Sequence, residues 1–267
     1  MRLATFNVNS VRSRLPILER WLPTSGVDIL FIQETKVVDA DFPTEPFAAM
    51  GYQAFFRGEK SYNGVAALVK EPLSEGVEVT FGLGDGEEPA FPTRVLWLRT
   101  EGSGRKGALP LTVLNTYVPQ GKEITHPDYE VKKAFLARVR KAIEREMSGP
   151  FLWVGDLNVA PTERDLTNPK GKKDHVCFCQ EIRDHFARVS EGLVDLLRKF
   201  HPEDGVYTFF DYRVKDALSR KIGWRIDHML ASPALAERAR DCFVELGPRG
   251  WERPSDHTPV VADFSDK

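Results

Sequence analysis

The stretch Phe151-Leu-Trp-Val-Gly-Asp156-Leu-Asn158 runs from large apolar residues directly into a carboxylate and an amide. A continuously apolar run of this length is typical of a central strand that is covered on both faces. Segments of the same character are Leu3-Ala-Thr-Phe-Asn7-Val-Asn9, Ile29-Leu-Phe-Ile-Gln33-Glu34-Thr-Lys36 and Trp224-Arg225-Ile226-Asp227-His228. Buried strands that deliver carboxylates and amides to one rim are typical of a divalent-metal phosphoesterase.

Strand-like and helical patterns extend over the whole chain. Helical periodicity is clearest in residues 129–147, with a predicted inward stripe of Val131, Phe135, Leu136, Val139 and Ile143. Further helices are predicted at about 11–24 and 179–200, with a fourth around Leu235. Strands are predicted at 2–8, 27–33, 52–56, 64–69, 77–81, 94–99, 111–118, 151–155, 206–210, 225–231, 242–246 and 259–264.

Many strands with a few interspersed helices favour an α/β sandwich, in which two packed sheets are flanked by helices. No repeat, low-complexity tract or long linker divides the chain, so we expect one domain over residues 1–267. The glycine-rich stretches 82–86 and 102–104 are interpreted as hairpin tips.

The composition excludes several classes of protein. Hydrophobic residues at 42% and charged residues at 28% are ordinary globular values. No run approaches the roughly 20 apolar residues of a transmembrane helix, and the N-terminus has no signal-peptide core. Three cysteines are an odd number, so we expect a reduced, cytosolic protein without a membrane partner. A net charge of −2 argues against a protein that merely coats DNA, because coating requires phosphate neutralisation across the surface.

Glu34 is the first candidate metal ligand. It follows a predicted buried strand and has Asn9 or Asn7 as amide neighbours. Mg²⁺ takes few protein oxygens and keeps several waters, so one or two carboxylates with a substrate phosphate suffice. A carboxylate at a strand end is by itself an ordinary solvated terminus, but the other acidic strand ends favour the metal interpretation.

Asp156 and Asn158 are candidates for general acid–base work. In an extended segment, side chains two residues apart lie on the same face. An Asp there can accept a proton from water while an Asn fixes the position of the nucleophile. The alternative is an Asx-turn that closes the strand.

The segment Pro254-Ser255-Asp256-His257-Thr258-Pro259 supplies a candidate histidine. Asp256 and His257 are adjacent, so their side chains point to opposite sides of an extended backbone. We predict that Asp227 orients His257 while Asp256 faces the metal. The alternative for His257 is a structural histidine with satisfied hydrogen bonds. Tyr117 ends another predicted strand, and either its hydroxyl binds the scissile phosphate or its ring packs at the sheet edge.

Together these segments resemble the exonuclease III family of apurinic/apyrimidinic (AP) endonucleases. The resemblance spans nearly the full chain, in family order and at family-like spacings. The segments that carry it are Asn7-Val8-Asn9, Gln33-Glu34-Thr35-Lys36, Tyr62-Asn63-Gly64-Val65-Ala66, Asn115-Thr-Tyr117-Val-Pro119, Gly155-Asp156-Leu-Asn158, Tyr207-Thr-Phe209-Phe-Asp211-Tyr212-Arg213, Gly223-Trp224-Arg-Ile-Asp227 and Ser255-Asp256-His257.

The resemblance implies the four-layer α/β sandwich shared with pancreatic deoxyribonuclease. It implies a Mg²⁺ site at Glu34, with Asn9 at the second metal position, where relatives often hold Asp, and with Asp256 as a further acid. Mn²⁺ is expected to substitute. The catalytic residues implied are Asp156, which orients or deprotonates the attacking water, its partner Asn158, the pair Asp227–His257, and the phosphate-contacting phenol of Tyr117.

The resemblance also implies a small apolar pocket for a base-free deoxyribose, formed by Phe209, Trp224 and Ile226. A sugar without its base is compact, so extruding it from the duplex requires less energy than flipping a normal nucleotide. Core packing is the alternative for these side chains and the preferred interpretation of Phe210. Further residues expected to contact the substrate are Asn7, Gln120, Arg213 and Lys221, the last in a basic loop suited to a phosphate backbone.

The implied function is that of a monomeric, Mg²⁺-dependent repair nuclease that incises duplex DNA 5′ to abasic sites and trims blocked 3′ termini. The alternative is a 3′-end exonuclease and phosphatase with weak internal incision, because family members with a bulky residue near Cys177 favour damaged 3′ ends. Inositol-phosphate or sphingomyelin hydrolysis on the same fold is more remote. A DNA-damage-binding protein without catalysis is disfavoured because every chemical position is filled. The Cys177-x-Cys179 pair with His175 lacks a fourth zinc ligand at a suitable spacing.

Overall fold

The computed structural model describes residues 1–101 and 110–265. Its strands are β1 (Arg2–Asn7), β2 (Ile29–Gln33), β3 (Tyr52–Arg57), β4 (Val65–Lys70), β5 (Val77–Phe81), β6 (Val95–Glu101), β7 (Pro110–Tyr117), β8 (Phe151–Asp156), β9 (Val194–Asp195), β10 (Asp227–Ala231), β11 (Ala239–Val244) and β12 (Val260–Phe264). Its α-helices are α1 (Val11–Ser25), α2 (Thr44–Ala49), α3 (Pro127–Glu146), α4 (Gln180–Val189), α5 (Leu196–Phe200) and α6 (Pro233–Ala236).

The strands form two six-stranded mixed sheets with the same plan. The first has the order β11-β12-β1-β2-β4-β3 and the second has the order β5-β6-β7-β8-β10-β9. In each sheet the two middle strands are parallel, β1 with β2 and β7 with β8, and the other neighbours are antiparallel. The parallel pairs end on the same side of their sheets, which places four strand ends at one rim.

The hydrophobic core is divided into layers that match the predicted sandwich. Leu3 and Phe31 of the first sheet pack against Leu152 and Met229 of the second in a central apolar layer. The outer face of the first sheet packs against α1, and the outer face of the second packs against α3 and α4. The order is therefore helix, sheet, sheet, helix, and the predicted four-layer sandwich is confirmed.

Several local predictions need correction. The helix predicted at 179–200 is two helices, α4 and α5, because Gly192 turns the chain with φ +83° and the two-residue strand β9 follows. The apolar run 206–210 forms no named strand and makes only isolated bridges through Phe209. On α3 the predicted inward residue Val131 is 43% exposed, and Lys132 is fully buried beside Phe135 instead. Residues 82–86 lie between the antiparallel neighbours β5 and β6, whereas 102–104 lie outside the described residues.

Among the helices within the described ranges, none has the length and apolar character needed to cross a bilayer. The thiols of Cys177, Cys179 and Cys242 are all buried and free.

Candidate active site

The predicted catalytic side chains come from strand ends that meet at the common rim. Parallel pairing of β1 and β2 brings Asn7 beside the point where Glu34 leaves its strand. In the second sheet, Asp156 at the end of β8 pairs with Tyr117 on one side and with Asp227 on the other. Residues far apart in the sequence therefore converge because of the sheet register.

The backbone turns sharply where these strands end. Asn9, Glu34 and Asn158 all have left-handed φ angles, at 45°, 55° and 51°. Such angles are uncommon outside glycine and concentrate at functional sites. Gly155 has φ +131°, and a Cβ atom there would lie 2.0 Å from the carbonyl oxygen of Thr116. The motif around Asp156 therefore requires this glycine so that β8 can approach β7 closely.

Three side chains form a compact group of potential metal ligands. One ligand atom each of Glu34, Asp156 and His257 lies within 4.8 Å of the other two. The buried amide of Asn7 donates to Glu34 Oε1 at 2.7 Å and to Asp156 Oδ2 at 2.9 Å. Asn7 therefore bridges the two carboxylates through its side-chain amide. Its predicted contact with substrate stays a prediction. Lys36 Nζ lies 2.7 Å from Glu34 Oε2.

The pKa values of the two carboxylates in this group are shifted in opposite directions. Burial opposes ionisation of Glu34, but Lys36 and the amide of Asn7 outweigh it and lower the pKa of Glu34. For Asp156, burial raises the pKa, and the neighbouring carboxylates of Asp227 and Glu34 add to that effect. A carboxyl group with a raised pKa is suited to accept a proton from water near neutral pH.

His257 is hydrogen-bonded to Asp227, the residue that the sequence predicts to orient it. Its Nδ1 lies 2.9 Å from Asp227 Oδ2, and the hydroxyl of Thr208 donates to the same oxygen at 2.6 Å. The Nε2 atom lies 3.8 Å from Asp156 Oδ2. Burial disfavours the imidazolium, yet Asp227 and Asp156 outweigh burial and raise the pKa of His257. The protonated ring therefore presents Nε2–H toward the site.

Asn9 and Asp256 form a second polar pair at the rim. Asn9 Nδ2 donates to Asp256 Oδ1 at 3.0 Å, and Lys36 Nζ donates to Asn9 Oδ1. Asp256 also lines the cavity described below. The amide of Asn9 thus links Lys36 to Asp256, while Asp256 faces the site.

Tyr117 has its ring covered by the guanidinium of Arg94, 4.6 Å from the ring centroid. Arg94 Nη1 also donates to the carbonyl of Tyr117 at 3.1 Å. Burial and the charges of Glu34 and Asp156 raise the pKa of Tyr117 well above its ordinary value. Its phenol therefore stays protonated and can act as a hydrogen-bond donor.

Glu34, Tyr117, Asp156, Asp256 and His257 line a cavity of about 360 Å³. One wall is apolar and contains Phe209, Trp224 and Ile226, with the ring of Phe209 packed edge-on against His257 at 4.9 Å. Ile226 also packs into a small cluster with Phe178, so it serves both the pocket and the core. Phe210 is buried and does not line this cavity, in agreement with its interpretation as a packing residue.

The remaining predicted residues are divided between the cavity and other locations. Gln120, Asn158 and Arg213 line the cavity, and Arg213 is paired with Asp211 at 2.7 Å. Lys221 instead lines a separate, largely apolar cavity beside Phe210.

Several residues of the site were not predicted. Lys172, His175 and Asp211 line the cavity, and the ring of His175 packs against Trp224 at 4.7 Å. The basic tract 170–173 was a sequence signal for Lys172. Nothing in the local sequence indicated His175, because its position depends on how the loop folds.

Comparisons with known proteins agree with this geometry. The pattern that defines the endonuclease/exonuclease/phosphatase family matches residues 4–257. The chain belongs to the endonuclease/exonuclease/phosphatase family. Within it, exodeoxyribonuclease III of Haemophilus influenzae is 34% identical over 99% of this chain and 100% of its own length.

Two solved structures of this family superpose over nearly the whole chain. An AP endonuclease from Archaeoglobus fulgidus has a TM-score of 0.92 and 43% identity, with 99% of each chain covered. The Neisseria 3′ phosphatase NExo, bound to a product DNA hairpin, has a TM-score of 0.90 and 34% identity, also with 99% of each chain covered. The predicted family, fold and enzyme class, a DNA phosphodiesterase of the exonuclease III and AP endonuclease type, are confirmed by these matches. The roles of individual residues stay predictions.

Proposed function

We propose that the protein is a Mg²⁺-dependent DNA-repair phosphodiesterase that cleaves duplex DNA 5′ to abasic sites and trims blocked 3′ termini. The observation that carries this proposal is the convergence of Glu34, Asp156 and His257 beside an apolar-walled cavity. The acidic group suits phosphodiester hydrolysis, and the apolar wall suits a sugar without a base. Relatives named for AP-site cleavage and for 3′ phosphatase action match the whole chain.

The donor set fits a hard divalent cation. Glu34 and Asp156 offer carboxylate oxygens, and Asp256 faces the same cavity. Mg²⁺ binds through one or two carboxylates together with waters and phosphate oxygens. Burial raises the pKa of Asp156, and the carboxylates of Asp227 and Glu34 add to that effect, so a bound cation would favour its ionised form. When bound, the ion would polarise the phosphoryl group and neutralise its developing charge. We propose Glu34 as the principal ligand, with Asn9 and Asp256 on the metal side and Mn²⁺ as a substitute ion.

The protein residues supply positioning and proton transfer. Asp156 accepts the proton of the attacking water, and the N–H of Asn158, 3.0 Å from Asp156 Oδ1, fixes the orientation of that carboxylate. His257, held by Asp227, donates from Nε2 to a phosphate oxygen. The protonated phenol of Tyr117 donates to the same group. Each donor strengthens its interaction as negative charge builds on the phosphate.

The cavity wall provides lesion recognition. An abasic sugar flipped from the duplex would pack against Phe209, Trp224 and Ile226, and an intact nucleotide would be too large. Gln120 and Arg213, at the polar side of the cavity, would contact the DNA backbone.

A second candidate is a 3′-end phosphatase and exonuclease with weak internal incision. Cys177 lines the cavity, so the volume of its side chain affects how much room there is for DNA that continues past the flipped sugar. The 34% identical relative NExo is named as a 3′ phosphatase. Cys177 is intermediate in size but closer in volume to Ser than to His, which favours retention of abasic-site incision in this chain.

The proposal is tested with two labelled duplexes in Mg²⁺, one with an internal abasic analogue and one with a 3′-phosphate. We expect cleavage 5′ to the lesion and release of phosphate, both abolished by EDTA. Phosphate release without incision would favour the second candidate. Binding without either reaction would indicate a damage-binding protein, and hydrolysis of inositol phosphates or sphingomyelin alone would overturn the DNA assignment.

A further inference from the structure

Lys132 is a buried cation that the proposed reaction does not use. Its side chain is 0% exposed on the inward face of α3. The ammonium donates to the carbonyls of Gln120 at 3.1 Å, Asn158 at 2.8 Å and Val176 at 2.7 Å. A fourth, longer contact of the ammonium is with the Sγ atom of Cys177, at 4.0 Å.

The number of N–H donors on the Lys132 ammonium matches the number of carbonyl groups that accept from it. An ammonium has three N–H donors and a neutral amine has two. Three carbonyl acceptors are therefore satisfied only by the charged form, and no carboxylate is among the hydrogen-bond partners of Lys132 in the described ranges. Burying a cation without a paired anion is unfavourable unless its hydrogen bonds are complete. An apolar residue at this position of α3 would avoid burying a charge, but it would leave the three carbonyls without this donor.

The three carbonyls belong to three separate segments that wall the cavity. Gln120 follows β7, Asn158 follows β8, and Val176 precedes Cys177 in the chain. Gln120, Asn158 and Cys177 each line the cavity. A single ammonium group thus joins three walls of the site.

Asn158 is held from both sides of its own backbone. Its N–H donates to Asp156 Oδ1 at 3.0 Å, while its carbonyl accepts from Lys132 at 2.8 Å. Its side chain donates to the carbonyl of Val118 at 3.0 Å. A shift of Lys132 would therefore move the residue that fixes the carboxylate of Asp156.

We propose that Lys132 is a positioning residue that sets the placement of Asn158, and through it the orientation of Asp156, by tying three loops to one buried ammonium. This inference rests on the proposed function. A misplacement of about 1 Å in a catalytic group lowers a rate by about 10²-fold.

The first test is Lys132→Met, which keeps the length of the side chain and removes its donors. On the abasic duplex we expect the single-turnover rate to fall by about 10²-fold, the scale of such a misplacement. The dissociation constant for DNA should stay within about threefold, because Lys132 does not reach the substrate. The matched control is Lys133→Met, which removes a surface ammonium that pairs with Glu130 at 2.6 Å and Glu181 at 2.8 Å. Its rate should stay close to that of the wild type.

The deciding test is a double-mutant cycle with Asp156→Asn, because Lys132 and Asp156 are linked through the backbone carbonyl and N–H of residue 158. If Lys132 acts by orienting the carboxylate of Asp156, the double variant should be little slower than Asp156→Asn alone. Multiplicative losses, or a loss that only follows the folded fraction measured by circular dichroism, would overturn the inference. If Lys132→Met does not fold, Lys132→Gln enters the same cycle. A wild-type protein without DNA cleavage would refute the proposed function instead, so the two failures are distinguishable.

Discussion

Two buried groups of charged side chains differ in how their charges are balanced. The ion-pair network contains Asp165, Arg225, Arg198 and Asp195, two carboxylates against two guanidinium groups. Arg225 lies 2.6 Å from Asp165 and 2.7 Å from Asp195. These cations outweigh the effect of burial and hold the pKa of Asp165 well below its usual range.

The site cluster contains Glu34, Asp156, Asp227 and His257, so it has three carboxylates for one imidazolium, and Lys36 is paired with Glu34 at its edge. There the pKa of Asp156 is raised rather than lowered. Burial acts on both groups, so burial alone does not explain the difference. A second difference is the countercharge that the fold supplies. The network pairs its carboxylates with guanidinium groups, whereas we propose that a divalent cation completes the site cluster.

The largest expected effect is on catalysis in the site cluster. Glu34→Gln keeps the shape of the side chain and removes one negative charge. Because polarisation of the phosphate by a metal contributes several kcal/mol, cleavage of the abasic duplex should fall by at least about 10³-fold. The folded state, followed by circular dichroism, should be unchanged. Activity within tenfold of the wild type at saturating Mg²⁺ would remove Glu34 as the principal ligand.

The ion-pair network should respond in stability rather than in chemistry. Asp165→Asn leaves the buried guanidinium of Arg225 without its closest anion, and breaking a buried pair in this way destabilises by about 3–5 kcal/mol. Urea unfolding at neutral pH measures this loss. If the two proteins unfold at the same urea concentration, the network does not stabilise the fold.

The pH dependence of unfolding checks the same variant. Because the folded pKa of Asp165 is lowered, its contribution is present above the unfolded value of about 3.9 and is lost as pH falls through the folded pKa. The wild type should therefore lose more stability than Asp165→Asn between neutral and acidic pH.

A third prediction separates repulsion from catalysis within the site cluster. Asp156→Asn and His257→Ala should each lower kcat by at least about 10²-fold, the usual scale for a positioned acid or base. Because the fold raises the pKa of Asp156, ionising this carboxyl group destabilises the folded state. The Asp156→Asn variant should therefore unfold at an equal or higher temperature than the wild type in metal-free buffer at pH 7. If the two residues act in one step, the double variant should lose much less than the product of the single losses. Multiplicative losses would assign them to separate steps.

The smallest effect concerns lesion choice at Cys177. A larger residue would obstruct DNA that continues past the flipped sugar, but would obstruct a 3′ terminus less. Cys177→His should therefore depress abasic-site incision more than 3′-phosphate removal, and Cys177→Gly should raise the ratio of the two. Discrimination of this kind is read from kcat/KM for each duplex. Equal changes in both activities would refute the gating role.

The sequence predicted the parts of the fold that depend on local pattern. Continuously apolar strands such as β2 and β8 were predicted because they are buried on both faces, and polar residues at their ends marked the rim. The two-residue strand β9 was missed because its neighbours continue a helical pattern. Val131 was predicted to face inward on α3, but Lys132 does so instead. The carbonyls that bind Lys132 belong to distant loops, and the helical pattern of the sequence does not reveal them.

For the site, the acidic and amide side chains at strand ends were predictable, but their partners were not. Nothing in sequence spacing shows that the amide of Asn7 bridges Glu34 and Asp156, or that Arg94 covers Tyr117. Such contacts depend on tertiary structure alone. Lys221 is exposed and lines another cavity, so its contact with a phosphate backbone stays a prediction.

The most direct test of the central claim is a Mn²⁺ titration followed by the electron paramagnetic resonance signal of the free ion. The wild type and Asp165→Asn should both deplete the free signal, because the ion-pair network is complete without a metal. Glu34→Gln should deplete it far less. Equal binding by Glu34→Gln and the wild type, or no binding by the wild type at millimolar Mn²⁺, would contradict the account.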